Sequence, residues 1–386
     1  MVKLIPMTKK LFIGMFLFSL SIIAQPDFQI SGYAVNMAIY QPATDLNIVK
    51  LDDQFFNLTR LRIKPSLNFG YSTRIDLHYE INSLYMNKSS FGIFDLNSIS
   101  NRRQIVDLNW NVINEDNLIT NHYVDRLSIR HEMNWGNVEI GRQRISWGTG
   151  RIWNPTDLFN PINPANFTKI EKDGADAIST MIYLGSFTDL NIVYNPTDDF
   201  NQSNYGFRFR TNYAQYDFAL IGGYFDKRIV AGLDFAGSLF DAGIRGEGIF
   251  SIANKNDEES FLKFILGADY QFSPELYAVV EYQFNGEGKT QKADYELTRL
   301  TSGEILNLSR NYLHTGISYQ ITPLLNFSVN NTFNLNDGSG FFGFSAYYSI
   351  TSDFYILAGT QLSYGNEFTE YWFFPDAYFL QGEFYF

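Results

Sequence analysis

The residues best equipped for chemistry in this chain are arginines set at every second position of short apolar runs. Arg60, Arg62 and Lys64 alternate with Leu61, Ile63 and Pro65, and Arg208 and Arg210 with Phe207 and Phe209. Arg126, Arg130, Arg142, Arg144, Arg151, Arg245 and Lys263 continue the set. Acidic partners are on offer in Asp76, Glu80, Glu132, Asp241, Glu247 and Glu281. Guanidinium groups grip carboxylates through two parallel hydrogen bonds. Rings of arginine attract anions, and facing rows of acid and base set up a transverse field. Two uses stay open at this level: a selective filter, or ion pairs that stiffen a wall. Catalysis finds no comparable signal. The four histidines, His78, His122, His131 and His314, show neither metal spacing nor a nucleophile elbow. No cofactor motif is present, and the Asn195–Asp199 and Asp257–Glu259 clusters read as solvated loops rather than calcium sites.

The elements that must carry these side chains have a period of two, the signature of strands with unlike faces. Leu61, Ile63, Leu67 and Phe69 share one parity, and Arg60, Arg62, Lys64, Ser66 and Asn68 the other. Residues 74–81, 262–269 and 325–330 repeat the pattern. About 18 strands (16–18) are expected, beginning near residues 28, 58, 73, 122, 137, 176, 187, 204, 215, 226, 238, 260, 275, 309, 323, 341, 353 and 376. Tight turns near Ser72, Gly136, Ser186, Gln215, Gly237, Ser273, Thr322 and Thr351 alternate with longer links. Only the link near Asp226 is short where a long one is due. An all-β, up-and-down antiparallel transmembrane barrel has this asymmetry, with short periplasmic turns and long extracellular loops. Aromatic residues make up 17% of the chain, more than a soluble surface would hide. Tyr40, Tyr85, Trp135, Trp147, Tyr183, Tyr194 and Tyr224 fall near strand ends, where interfacial girdles form.

The first residues read as a secretory leader. Lys9 and Lys10 precede an apolar run from Leu11 to Ile23, and Ala24 offers a small residue for cleavage. The expected organisation is therefore a signal peptide over 1–24 and one barrel domain over 25–386. Strand one begins too early to leave room for an N-terminal plug. With no cysteine, the chain has neither disulfides nor thiolate metal sites. A net charge of -12 argues against a nucleic-acid partner.

The most distinctive stretch is 141–176. Pro155, Pro161 and Pro164 forbid a strand there, while Trp147, Trp153, Phe159 and Phe167 demand burial. The expectation is a third extracellular loop folded into the barrel as a constriction, built on Trp147, Trp153, Asn154, Pro155, Asp157, Phe159 and Asn160; a compact cap outside the rim is the alternative. The run Gly141, Arg142, Gln143, then Trp147 and Gly148, then Trp153, Asn154, Pro155, Asp157, Asn160 and Pro161, closed by Gly174 and Asp176, resembles a bacterial porin-like family. That family is similar in style to alginate-export and substrate-selective porins. The resemblance implies an 18-strand-type channel and fixes no substrate. The last strand, ending in Phe386, resembles the terminal strand of outer-membrane proteins, in which a final phenylalanine addresses the assembly machinery.

These readings lead to a bacterial outer-membrane channel, not an enzyme, through which small solutes diffuse along an arginine-lined lumen with anion or oligosaccharide preference. Its expected partners are outer-membrane lipid and lipopolysaccharide, a small solute, and the barrel-assembly machinery; homo-oligomers are open. Competing readings are an export barrel for polysaccharide or hydrophobic compounds, a non-transporting adhesin or scaffold, and a lipid hydrolase.

Overall fold

The computed structural model describes residues 26–45, 50–87, 103–159, 171–199, 202–254, 259–301 and 305–386. The leader expected over 1–24 lies outside these residues, as do Asn160, Pro161, Pro164 and Phe167 of the proline-rich link.

Eighteen antiparallel strands form the wall: β1 (Asp27–Gln41), β2 (Gln54–Phe69), β3 (Thr73–Met86), β4 (Leu118–Met133), β5 (Gly136–Gln143), β6 (Ala175–Gly185), β7 (Thr188–Asn195), β8 (Asn204–Tyr213), β9 (Tyr216–Phe225), β10 (Arg228–Leu239), β11 (Ala242–Ile252), β12 (Phe261–Gln271), β13 (Leu276–Asn285), β14 (Asn311–Thr322), β15 (Leu325–Asn334), β16 (Gly340–Ser349), β17 (Phe354–Tyr364) and β18 (Ala377–Tyr385). Each pairs with its sequence neighbour. The ring closes where β18 meets β1, from Tyr33 opposite Tyr385 to Tyr40 opposite Tyr378. The Gly32 amide donates to the Phe386 carbonyl at 2.8 Å, which extends that seam. Closure gives each of the eighteen wall strands a ladder partner on both sides among the described residues.

The period-two pattern fixes which face is which. Ile192, Phe207, Leu220, Leu233, Phe250 and Leu266 are exposed on one side of β7 to β12. Their neighbours Asn191, Ile221, Asp234, Glu247 and Ile265 are buried on the other. The exposed apolar set marks the outside, so the opposite parity points inward.

Connections at one end are short. Turns at Ala214–Gln215 (φ 51° and 68°) and Phe240–Asp241 (φ 49° and 65°) carry two successive positive φ values, the twist-matched geometry of a two-residue hairpin. The link at Asp226–Lys227 has the same form, φ 51° and 67°, and is as short as its sequence implies. Gly237, expected to mark a turn, instead lies inside β10, which continues to Leu239 before turning. A Cβ there would fall 2.1 Å from Cδ1 of Tyr216. The glycine makes room for a cross-strand ring, so its signal is packing rather than chain reversal. The link expected over 87–121 also holds a short strand, Asn109–Glu115, paired with the outer half of β4.

Candidate functional site in the barrel interior

Two inward glutamates carry the segment that follows β5. Glu281 on β13 is fully buried and accepts three backbone N–H groups in a row: Arg151 at 2.8 Å, Ile152 at 3.1 Å and Trp153 at 2.8 Å. Glu247 on β11 accepts from the amides of Thr149, Gly150 and Thr156, the last two at 3.1 and 3.2 Å. A carboxylate with several N–H donors satisfies irregular backbone that has no strand partner. Glycine is required at the approach. Gly148 sits at φ +100°, and a Cβ on it would lie 2.6 Å from Glu247 Oε2 and 2.7 Å from Thr156 Oγ1.

Aromatic packing fixes the flanks of the same segment. Trp147 meets Phe159 edge-on at 5.1 Å and Phe225 at 6.4 Å, among the buried Val193, Ile221, Val230 and Ile249. Its indole N–H donates to Asn191 Oδ1 at 3.0 Å. Trp153 packs with Tyr312, Ile265 and Phe341 in a second cluster. Residues 147–159 thus lie against side chains of the inward parity on β7, β9 to β11 and β12 to β14. Asn154 closes the turn by donating to the Gly150 carbonyl at 2.9 Å, and Pro155 follows it. Asp157 is buried and paired with Lys172.

The opposite wall holds an ionic belt. Arg62 is 2% exposed and pairs with Glu80 at 2.9 Å, with Asp125, and with Glu171 at 3.4 Å. Arg60 pairs with Glu80 at 3.0 Å, Arg126 with Asp125 at 2.8 Å, and Lys64 with Glu171 at 2.6 Å. Asp125 also accepts the Gly174 amide at 2.9 Å, which ties the return of the segment to the belt. Arg142 is not in this belt: it shares the outward parity of β5 with the exposed Ile140, and there, 3% exposed, it grips Asp176 at 2.7 and 3.1 Å and donates to the Val124 and Val106 carbonyls. Arg208 pairs with Asp234, Arg210 with Asp189, Arg245 with Asp269 and Arg130 with Glu132.

The arginines expected along the lumen therefore divide. Arg60, Arg62 and Arg126 are buried struts held by carboxylates and carbonyls, with the Arg62 Nε–H left without an acceptor, and Arg142, expected in the lumen, is buried on the outward parity instead. Arg144 is exposed, and the Arg151 side chain is 53% exposed with Asp269 at 3.8 Å. Lys64, Arg130, Arg208, Arg210 and Arg245 are paired, and the Arg130 and Arg210 side chains are almost half exposed. Near the Gly70–Ser72 turn the inner wall leaves a cavity of about 360 Å³, with Arg74, Asp76, Arg130, Glu132 and Glu139 in its lining.

Three functional features escape a reading by parity. Asp125 is the first, because the β3–β4 register slips between His78 and Tyr79 and leaves Asp125 as an extra residue, buried beside Arg126. A strict alternation would send it outward. Glu247 and Glu281 are the second, since they hold main-chain amides rather than arginines. Asp241, expected as an arginine's partner, is instead part of a turn. The histidines stay apart: His78 contacts Arg62, His122 Tyr79, His131 Thr73 and His314 Thr332.

The third feature lies at the long-link end, where Glu370 ties separate connections together. It is fully buried, accepts from the Leu308 amide at 2.9 Å and from Tyr312 Oη and Asn334 Nδ2 at 2.5 and 2.8 Å, and its own amide donates to Asp337. Burial pushes its carboxyl up to about 7, and the nearby Asp337 charge adds to the rise. A carboxyl raised above its unfolded value binds extra protons in the folded state, so its effect on stability falls as pH climbs from about 4.5 through 7. The links at 305–310, 335–339 and 365–376 should therefore resist proteolysis better at pH 5 than at pH 8. The difference, at most about 3 kcal/mol, should vanish in Glu370→Gln.

No family model and no curated protein matches the chain. Solved structures of bacterial porins do align with it. A multiply substituted Rhodopseudomonas blastica porin gives a TM-score of 0.49 at 11% identity, covering 93% of this chain and 100% of that one. Salmonella typhi OmpF in complex with daunomycin gives 0.49 at 11% identity, with 93% and 97% covered.

Proposed function

We propose that the chain is an outer-membrane channel for the diffusion of small polar solutes. The observation that carries this reading is the division of the closed wall into an apolar outside and an ionic inside. Such a wall suits lipid on one face and water on the other. Export of a hydrophobic compound would want an apolar inner wall, and the ionic belt argues against it. Residues 144–159 narrow the water-filled path in this reading, which is supported by the hold of Glu247 and Glu281 on the amides of residues 149–153 and 156. A polysaccharide, the cargo of the competing export reading, would use the same path.

Charge preference resides in the cations that keep access to water. Arg144 and Arg151 are the main ones, on the segment that narrows the path. Buried, paired arginines cancel locally and contribute little field. The expected result is anion selectivity, read as a reversal potential across a salt gradient in a planar bilayer, which collapses toward zero in Arg144→Ala/Arg151→Ala and persists in Arg74→Ala. A wild-type channel that prefers cations, or a double variant that keeps its anion preference, would overturn the assignment.

A further inference from the structure

The ionic character of the inner wall is interrupted along one arc. Every wall strand from β2 to β13 carries a charged residue, whereas β14 to β17 carry no Lys, Arg, Asp or Glu at any position. Ile317, Phe327, Phe342 and Tyr348 are exposed on the outside of these four strands. The opposite parity therefore turns Ser318, Ser328, Asn330, Gly343, Tyr347 and Gln361 toward the lumen, where all six are half-buried. The arc is built of hydroxyls, amides and tyrosine rings.

Its side chains are ordered in transverse rows. Asn330 and Gln361 flank Gly343 in one row, and the Asn330 amide lies across the glycine, where a Cβ would fall 2.7 Å from it. Among the described residues neither amide has a hydrogen-bond partner. In the next row Ser328 stands opposite Ser345 and donates to Ser318 Oγ at 3.0 Å. Below it the Tyr347 and Tyr355 rings stack, with centroids 5.3 Å apart and planes inclined by 19°. Glu383, on the adjoining β18, is buried and already accepts from Tyr385 Oη at 2.9 Å and Gln381 Nε2 at 2.5 Å. The narrowing segment meets this arc through Trp153, at Tyr312 and Phe341 near the long-link end, and the rows below are left facing the path. An ionised solute finds no counter-charge here, and an apolar one would strip water from amides and hydroxyls. A sugar meets both demands: its rim hydroxyls donate and accept, and its ring faces present C–H groups to an aromatic plane.

We propose that the inner face of β14 to β17 binds neutral oligosaccharides on their way through the barrel. Asn330 and Gln361 would bond the rim hydroxyls, and Tyr347 and Tyr355 would stack on a ring face. The inference rests on the reading of the chain as a diffusion channel and names a solute class for it. Arg144 and Arg151 act on small ions by charge, so the two preferences are carried by different parts of the wall.

Purified wild type in a planar bilayer would be titrated with a neutral glucose hexamer and, separately, with a polyethylene glycol of the same mass. The expected result is a saturable block of the current by the hexamer and no saturable block by the polyether. Asn330→Ala/Gln361→Ala removes two amides that hold no partner, so the barrel should still fold, and the hexamer should bind roughly ten-fold more weakly. Tyr347→Leu should weaken it about five-fold, while Tyr347→Phe keeps the ring and the affinity, and Arg74→Ala changes neither. Block by the hexamer no stronger than by the polyether, or an affinity that the double variant leaves unchanged, would overturn the site. A galacturonic acid hexamer that binds more tightly than the neutral one through the same two amides would overturn the preference for an uncharged solute. If folded protein carries no current, the channel reading falls; equilibrium binding of the labelled hexamer to wild type and double variant in detergent then still decides the site.

Discussion

Glu281→Ala should open the channel: single-channel conductance is expected to rise roughly two-fold or more, because the carboxylate is the common acceptor for Arg151, Ile152 and Trp153. A hydrogen bond to a charged group contributes about 1.5–3 kcal/mol, and three end together. Water can replace some of them, so the segment loses about 3–5 kcal/mol of tethering and swings away from β13. Glu281→Gln keeps one acceptor oxygen and should fall between. Adding Glu247→Ala, which frees the amides of Thr149, Gly150 and Thr156, should widen the path further and raise open-state noise. The barrel wall itself should survive, since neither glutamate belongs to a ladder bond. A folded Glu247→Ala/Glu281→Ala protein with wild-type conductance would show that residues 144–159 do not limit flow.

Arg62→Ala should instead strike the wall. The guanidinium sits among Glu80, Asp125 and Glu171, and the Glu80 and Asp125 side chains are only 2% and 1% exposed. Removing it leaves Glu80 with Arg60, Asp125 with Arg126 and Glu171 with Lys64, but takes away the cation that the three acids share; losing one partner from a buried ion pair costs about 3–5 kcal/mol in comparable settings. The intact cluster need not have been that favourable; the penalty comes from crowding the three acids around fewer cations. Urea unfolding followed by the gel mobility of unheated protein should show a clear drop in midpoint. Arg74→Ala is the contrast. Its side chain is half exposed beside Asp76, and exposed pairs of this kind contribute about 0–1 kcal/mol. Equal midpoints for the two variants would contradict the view of Arg62 as a buried strut.

The strands were legible because their physics is local. Alternation along Arg60–Phe69 reads off the sequence, and so does the tight link at Asp226. The site was less legible because its geometry is not local. That Glu281 would bind amides 128 to 130 residues away depends on which strands face each other across the barrel. Asp125 was hidden by a single extra residue that changes parity. Gly237 mimicked a turn because glycine serves both reversal and ring packing. The arginines were visible, but alternation cannot tell a guanidinium in water from one locked between carboxylates.

The most direct test of the account is the current carried by the purified, folded protein in a planar bilayer. Steady openings that favour anions, and that grow when Glu281 is replaced by alanine, are the predicted result. A folded protein that carries no current, even with both glutamates replaced, would contradict an open channel and leave a closed barrel whose work lies elsewhere.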